Sequence, residues 1–214
     1  MAAELDPQTQ LRLKTTRESI HAEFGSIHPP ERIDAVLDDS IEHVRSDAGF
    51  DDYVPALAER LCRDRLKAAA RSAGLVDRGV PEVLFVALND TGRGQMGAAI
   101  LRALAGERLN VHSAGTAGRR APVDPGVAKA MREIGLGLDD AYSKPLTPEV
   151  LASADVVVTM GRSTGEVEIP EGTRHLDWRI GDPSGAPLDE VRHVRDDIRA
   201  RIELLLRDLV PEES

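Results

Sequence analysis

The sequence is poor in cysteine and in aromatic residues. Cys62 is the only cysteine among 214 residues, which excludes an internal disulfide and a metal site built from cysteines and favours a reducing compartment. Aromatic residues make up 3 % of the chain and hydrophobic residues 41 %, so we expect a sizeable aliphatic core. The six histidines have no metal-ligand spacing. The sequence therefore predicts neither a metal nor a cofactor.

Membrane and nucleic-acid signals are also missing. The first residues carry neither a basic segment nor an apolar one, so they do not resemble a signal peptide. No run approaches the roughly 18 to 20 apolar residues that a membrane span needs. The formal net charge of −10 argues against attraction to nucleic acid or to an anionic membrane. We expect a cytoplasmic protein with neither of these partners.

The first third of the chain has helical periodicity. Three amphipathic helices are predicted between residues 5 and 74, and the second begins after two prolines at positions 29 and 30. Such short helices bury little apolar surface, so we expect this domain to dock against something else. Cys62 has two interpretations here: a redox-active thiol, or a small apolar residue on the buried face of the third helix. The second is favoured, because cysteine is often buried in this way.

From about residue 80 to 210, short apolar runs alternate with helical stripes. That alternation is typical of a parallel sheet covered by helices on both faces, and we predict four strands. The first strand is predicted at Val83 to Val86, and a polar loop separates it from a helix predicted from about Gln95 to Ala105. Further helices are predicted from the capping pair Asp124-Pro125 to Ile134, at 146–152 and over 188–209. Backbone N–H groups converge at such a helix N-terminus and favour an anion. Arg93 would close this cradle with its planar fork of donors.

The segment from Ala87 to Gly94 resembles the active-site loop of the low-molecular-weight protein tyrosine phosphatases and of the arsenate reductases that share their fold. In that family the loop reads Cys, five residues, Arg and then usually Ser. Arg93 has the family spacing, but Ala87 stands where the family has its nucleophilic Cys. Asp90 replaces a usual Asn, and Gly94 replaces the Ser that supports the thiolate. Without a thiolate the family's covalent intermediate cannot form.

The resemblance continues along about 130 residues, from Glu82 to Leu209. It includes a Ser-Ala-Gly-Thr segment at 113–116, an Asp-Val-Val-Val-Thr-Met strand at 155–160, and an Asp-Pro pair at 182–183. In the family, the Asp of that pair is the general acid over the anion loop. The N-terminal helices and the Arg-rich, Lys-poor composition are similar to those of actinobacterial arsenate reductases, whose three-helix bundle is associated with dimerisation. The resemblance therefore implies a homodimer through residues 5–74.

The polar residues of the loop leave alternatives open. Arg93 would bind an oxyanion, or it would pair with Asp90 or Asp182 and stabilise the loop without a ligand. Asp90 would place a negative charge where a dianion would sit, at a cost of several kcal/mol at roughly 4 Å and an intermediate dielectric. Asp182 either retains the general-acid position or simply caps its turn. Arg162, near the rim, is interpreted as a solvated surface residue rather than a further anion contact.

The leading hypothesis is a family member without phosphatase or arsenate reductase catalysis, which acts as a binding or regulatory module. The alternative is an enzyme with changed chemistry that uses Asp90 and Asp182 on a small polar or phosphorylated substrate, since paired carboxylates are a recurring acid–base arrangement. The predicted ligand-binding residues are Ala87, Leu88, Asn89, Asp90, Thr91, Gly92, Arg93 and Gly94.

Overall fold

The computed structural model describes residues 5–45, 51–117, 121–161 and 167–210. The chain divides into two compact units. One lies within Met1–Arg78 and Thr147–Ser153, and the other within Gly79–Leu146 and Ala154–Ser214. Among the described residues, no helix combines the length and apolar character needed to cross a membrane.

The structure has seven α-helices and four strands in its described ranges, together with two short 3₁₀ turns at Asp51–Tyr53 and Gly106–Arg108. In chain order these elements are α1 (Pro7–Phe24), α2 (Pro30–Arg45), α3 (Val54–Ser72), β1 (Glu82–Ala87), α4 (Arg93–Ala105), β2 (Asn110–Gly115), α5 (Pro125–Arg132), α6 (Pro148–Ser153), β3 (Val156–Met160), β4 (Arg174–Trp178) and α7 (Leu188–Leu209).

The helical unit consists of α1, α2, α3 and α6. Asp6 is the N-cap of α1, and its carboxylate accepts hydrogen bonds from the backbone N–H groups of Gln8 and Thr9. The apolar faces meet in a small core, and Cys62 is fully buried in it. The short α6 packs on α3, where Glu149 accepts a hydrogen bond from the buried Arg65. Thus α6 lies with the helical unit, although its sequence falls between strands of the sheet.

The second unit is an α/β unit with a four-stranded sheet. All pairings are parallel, as the sequence predicts, and the strand order is β2-β1-β3-β4. The two central strands are almost wholly buried, and α4, α5 and α7 flank the sheet. Because β1 is central and parallel to its neighbours, its carboxyl end opens onto the edge where ligands bind in open α/β sheets.

Most predicted boundaries lie within two residues of the observed ones. Two differences are noted, of which the first concerns the site. Helix α4 begins at Arg93 rather than at Gln95, so the arginine belongs to the first turn of the helix. The predicted helix at 146–152 is observed at Pro148–Ser153, since Pro148 occupies the first helical position, where its missing N–H costs nothing.

Candidate functional site

The loop between β1 and α4 is held tightly by the end of β2. Thr116 N–H donates to the carbonyl of Ala87 at 3.0 Å, and Ala117 N–H donates to the carbonyl of Leu88 at 2.8 Å. Gly115 allows this approach, because a Cβ there would lie 3.0 Å from the Leu88 carbonyl oxygen and from the Asn89 carbonyl carbon. The Ser-Ala-Gly-Thr segment therefore supports the loop through backbone contacts.

The backbone donors of the loop are left open. Asp90 has a φ of 51°, the left-handed conformation that reverses the chain here. Gly92 is the N-cap of α4 and provides no side chain to cap the helix. In the described part of the chain, the N–H groups of residues 89–94 have no hydrogen-bond acceptor. Open donors at a helix N-terminus attract an anion, as the sequence pattern suggests.

Arg93 is buried and points toward the ends of β3 and β4. Its Nη1 donates to the carbonyl of Ile180 at 2.7 Å, and its Nη2 lies 3.5 Å from Oδ2 of Asp182. Gly161 leaves the space that the guanidinium needs, since a Cβ there would lie 2.5 Å from Nη1. The structure records no ion pair between Arg93 and Asp90, both of which are described. Of the two carboxylates considered for this arginine, it is Asp182 that pairs with it.

Asp182 combines a turn role with a position beside the loop. Its Oδ1 accepts from the backbone N–H of Ser184 at 3.1 Å and from the Ser184 hydroxyl at 2.8 Å. The adjoining Pro183 packs near the loop, because a Cβ at Gly92 would lie 3.4 Å from its ring. The Asp182 side chain remains 52 % exposed. It therefore faces solvent and Arg93 at once.

Asp90 is a buried structural carboxylate. It is 1 % exposed, and its Oδ2 accepts from Nε2 of Gln95 at 2.9 Å and from the backbone N–H of Lys144 at 3.1 Å. The Lys144 ammonium lies 3.5 Å from the same oxygen. Among the described residues, Oδ1 has no hydrogen-bond partner. The carboxylate ties the loop to α4 and to the segment that follows β2 and α5.

Burial raises the pKa of the Asp90 carboxyl, although the charge of Lys144 acts in the opposite direction. The desolvation of the ionised form outweighs the ion pair. A carboxylate with no exposed side-chain surface cannot contact a dissolved substrate without a rearrangement of the loop.

The structure brings the predicted residues Ala87 to Gly94 and Asp182 into one region, and adds partners that the sequence did not indicate. These are Lys144, Gln95, Gly161 and the carbonyl of Ile180. Gln95 is only five residues from Asp90, so a contact between the two is compatible with their spacing in the sequence. The others are remote in sequence and have no motif of their own. Arg162 lies outside the described residues.

The chain's one thiol is inert by its surroundings. Cys62 is fully buried among apolar side chains of the helical unit, and burial raises its pKa to about 12. The interpretation of Cys62 as a small apolar core residue is confirmed. In the described ranges, no group of three or more His, Cys, Asp or Glu side chains is arranged to hold a metal.

Comparison with known proteins identifies relatives of the α/β unit. The sequence profile of the family described as low molecular weight phosphotyrosine protein phosphatase matches residues 82–214. An arsenate reductase of Brevibacillus brevis is 31 % identical over 123 residues, which are 56 % of this chain and 90 % of that protein. Arsenate reductase 1 of Staphylococcus epidermidis is 29 % identical over 123 residues, with 56 % and 92 % covered.

Comparison with solved structures extends the similarity, in one case, to nearly the whole chain. A thioredoxin-dependent arsenate reductase of Corynebacterium glutamicum matches with a TM-score of 0.82 and 29 % identity, over 94 % of this chain and 98 % of that one. A structure described as an arsenate reductase in the phosphate binding state matches with a TM-score of 0.54 and 27 % identity, over 61 % and 99 % of the two chains.

Proposed function

The chain belongs to the low molecular weight phosphotyrosine protein phosphatase family, and from this premise we propose that it binds a small oxyanion at residues 87–94 without the family's thiol chemistry. Such a protein would act as an oxyanion-sensing or partner-regulating module rather than as a phosphatase or an arsenate reductase.

The chemistry of position 87 supports the loss of catalysis. Ala87 stands where the resemblance places the nucleophilic Cys, and a methyl group cannot attack phosphorus or arsenic. The only cysteine in the chain is Cys62, whose thiol is buried and has a raised pKa. No thiolate is therefore available at the loop to form a covalent intermediate.

One observation carries the proposal for binding: the loop presents open backbone N–H groups beside a buried guanidinium that is held in place. The backbone N–H groups of residues 89–94 have no acceptor among the described residues. Arg93 is held by its hydrogen bond to the carbonyl of Ile180, and the lack of a side chain at Gly161 leaves room for its guanidinium. Asp90, the charge expected to repel a dianion, is turned to Gln95 and Lys144. Fixed donors favour an oxyanion, and Lys144 offsets the charge of Asp90 on its Oδ2 side.

The relatives suggest which oxyanions to test. Several are arsenate reductases by name, and one solved relative is described in a phosphate binding state. We therefore infer that phosphate and arsenate are the first probes, with sulfate as the comparison anion. All three are tetrahedral, so the cradle would treat them alike unless their charge or protonation matters.

The test is isothermal titration of the full chain at low ionic strength, with an arginine-to-alanine pair. Arg93→Ala removes the guanidinium of the loop. Arg199→Ala is the matched control, because Arg199 lies on α7 in an exposed pair with Glu203 and gives the same change of net charge. We expect micromolar binding that Arg93→Ala abolishes and Arg199→Ala preserves. No detectable heat, or equal losses in both variants, would refute an oxyanion site at this loop.

The alternative, an enzyme that uses Asp90 and Asp182, stays a prediction. Asp182 is exposed and lies near Arg93, as a general acid would require. Asp90 is buried and engaged by Gln95 and Lys144, which gives no support for a catalytic role. The non-catalytic function is therefore the one that the geometry favours.

We also propose that the protein is a homodimer formed through the helical unit. Among the described residues, this unit carries several exposed large apolar side chains, Leu11, Tyr53, Leu75 and Val76, and Leu11 on α1 is 65 % exposed. Sedimentation velocity of the full chain tests this. Leu11→Ser is expected to weaken the dimer, whereas Leu204→Ser, which alters an equally exposed leucine on α7, is expected to leave it intact. A monomeric wild-type protein, or dissociation caused only by Leu204→Ser, would contradict the proposal.

A further inference from the structure

Position 94 has no room for a side chain next to Asp90. An ideal Cβ on Gly94 would lie 2.8 Å from Oδ1 of Asp90, closer than real Cβ atoms come to an oxygen. A serine at this position, as the family usually has, would therefore force the carboxylate to move. The glycine and the aspartate fit each other, and each is an unusual residue for this loop.

A Cβ at position 94 would lie close to both Asp90 and Ala87. The Cβ that would be added at Gly94 lies 3.7 Å from Cβ of Ala87 and 2.8 Å from Oδ1 of Asp90. Ala87 Cβ and Asp90 Oδ1 are thus at most about 6.5 Å apart, a bound that follows from those two distances. Oδ1 is buried and has no hydrogen-bond partner within normal geometry among the described residues, although the nearby Ser113 hydroxyl lowers the pKa of Asp90 and so favours its ionised form.

The two cations that the described residues place beside the loop are each paired with a carboxylate. Lys144 faces Asp90, and Arg93 faces Asp182, each at 3.5 Å. Each positive charge is therefore opposed by a carboxylate. The open N–H groups of residues 89–94 would favour a thiolate at position 87, but the thiolate would also meet Oδ1 of Asp90, the side that Lys144 does not face. Burial and this like charge both favour the neutral thiol.

We propose that Asp90 is a positioning residue that prevents position 87 from carrying a thiolate, with Gly94 as the change that accommodates it. Loss of catalysis in this chain is then not the work of Ala87 alone. A cysteine restored at position 87 would stay a protonated thiol at neutral pH until Asp90 is also replaced. This inference does not depend on whether the loop binds an oxyanion.

The test is the pKa of a restored thiol in full-length protein that lacks Cys62. Cys62→Ala removes the background thiol, and Ala87→Cys adds the probe. The pKa is read from the pH dependence of alkylation by iodoacetamide and from the ultraviolet absorbance of the thiolate. We expect the thiol to titrate above its ordinary value of about 8.5. Asp90→Asn should then lower the pKa by about 2 pH units, the value for one unit charge at about 6.5 Å and an effective dielectric near 20.

Asp182→Asn is the matched control, because it removes the other carboxylate of the region. A smaller shift is expected from it, since Asp182 is half exposed and its charge is screened by solvent. The proposal is overturned by a thiol that already titrates below its ordinary value. It is equally overturned by the same pKa in the presence and absence of Asp90, or by a larger shift from Asp182→Asn than from Asp90→Asn.

A stability cycle tests the contact between Asp90 and Gly94 without any thiol. Gly94→Ala should destabilise the wild-type protein, because the methyl group meets the carboxylate. In the Asp90→Ala background the obstacle is gone, and the same substitution should cost nothing or stabilise, since alanine is the better helix former. Equal effects of Gly94→Ala in both backgrounds would show that the two positions are independent.

Discussion

Gly161→Ala should displace Arg93 without changing the arginine itself. Gly161 has a φ of +97°, and a Cβ there would lie 2.5 Å from Nη1 of Arg93 and 3.0 Å from its Cζ. The methyl group would push the guanidinium away from the carbonyl of Ile180. The substitution therefore acts on the cradle by removing space rather than by removing a donor.

Two costs can be worked out from the structure. Holding alanine at a positive φ costs about 1 to 3 kcal/mol of unfolding free energy. Loss of the charge-assisted hydrogen bond from Arg93 to Ile180 costs about 1.5 to 3 kcal/mol more. In an Arg93→Ala background only the first cost remains. The coupling between the two positions should thus be about 1.5 to 3 kcal/mol.

Chemical denaturation of the two single variants, the double variant and the wild type measures this coupling. Titration with phosphate should show in parallel that Gly161→Ala lowers the affinity at least tenfold, since about 1.4 kcal/mol corresponds to a factor of ten. A coupling below about 0.5 kcal/mol, within the usual scatter of independent sites, would mean that Gly161 does not position the arginine.

Three further outcomes are expected. Burial raises the folded pKa of Asp90 above 3.8, so ionisation of this carboxyl should destabilise the folded protein. The free energy of unfolding of the wild type should therefore fall relative to that of Asp90→Asn as the pH rises from 3.8 through the folded pKa. A difference in unfolding free energy that stays constant across the titration would contradict the buried charge. Gly115→Ala should lower the free energy of unfolding by about 1 to 3 kcal/mol, because its methyl group meets the backbone of the loop. Gly181→Ala should leave it unchanged, because a Cβ there meets nothing within 4 Å. Similar denaturation midpoints for the two variants would count against the close approach at Gly115. The Cys62 thiol should resist a disulfide reagent in the folded protein at pH 8 and react on unfolding, and rapid reaction under native conditions would show that it is not buried.

The sheet could be predicted because its strands are chemically distinct from their surroundings. β1 and β3 are continuous apolar runs bounded by polar turns, as buried parallel strands require. The long apolar stripe of α7 and the capping pair Asp124–Pro125 of α5 predicted these two helices close to their observed limits. The order of the strands in the sheet was not predicted, because apolar runs alone do not show which strands pair.

The partners of the site residues could not be predicted from sequence spacing. Asp90 was expected to oppose an anion or to pair with Arg93, three residues away. It pairs instead with Lys144, 54 positions further along the chain, because the crossover after β2 returns to the loop. The role of Gly161 could not be predicted either, because its lack of a side chain matters only where the guanidinium of Arg93 packs against it.

Calorimetry with an aryl phosphate tests the central claim most directly, because one record reports both binding and turnover. The account predicts a saturable binding heat that Arg93→Ala removes, followed by a flat baseline with no continuing heat of hydrolysis. A steady heat flow that is proportional to protein concentration and disappears in Arg93→Ala would contradict it, and would show that the loop catalyses hydrolysis without a cysteine at position 87.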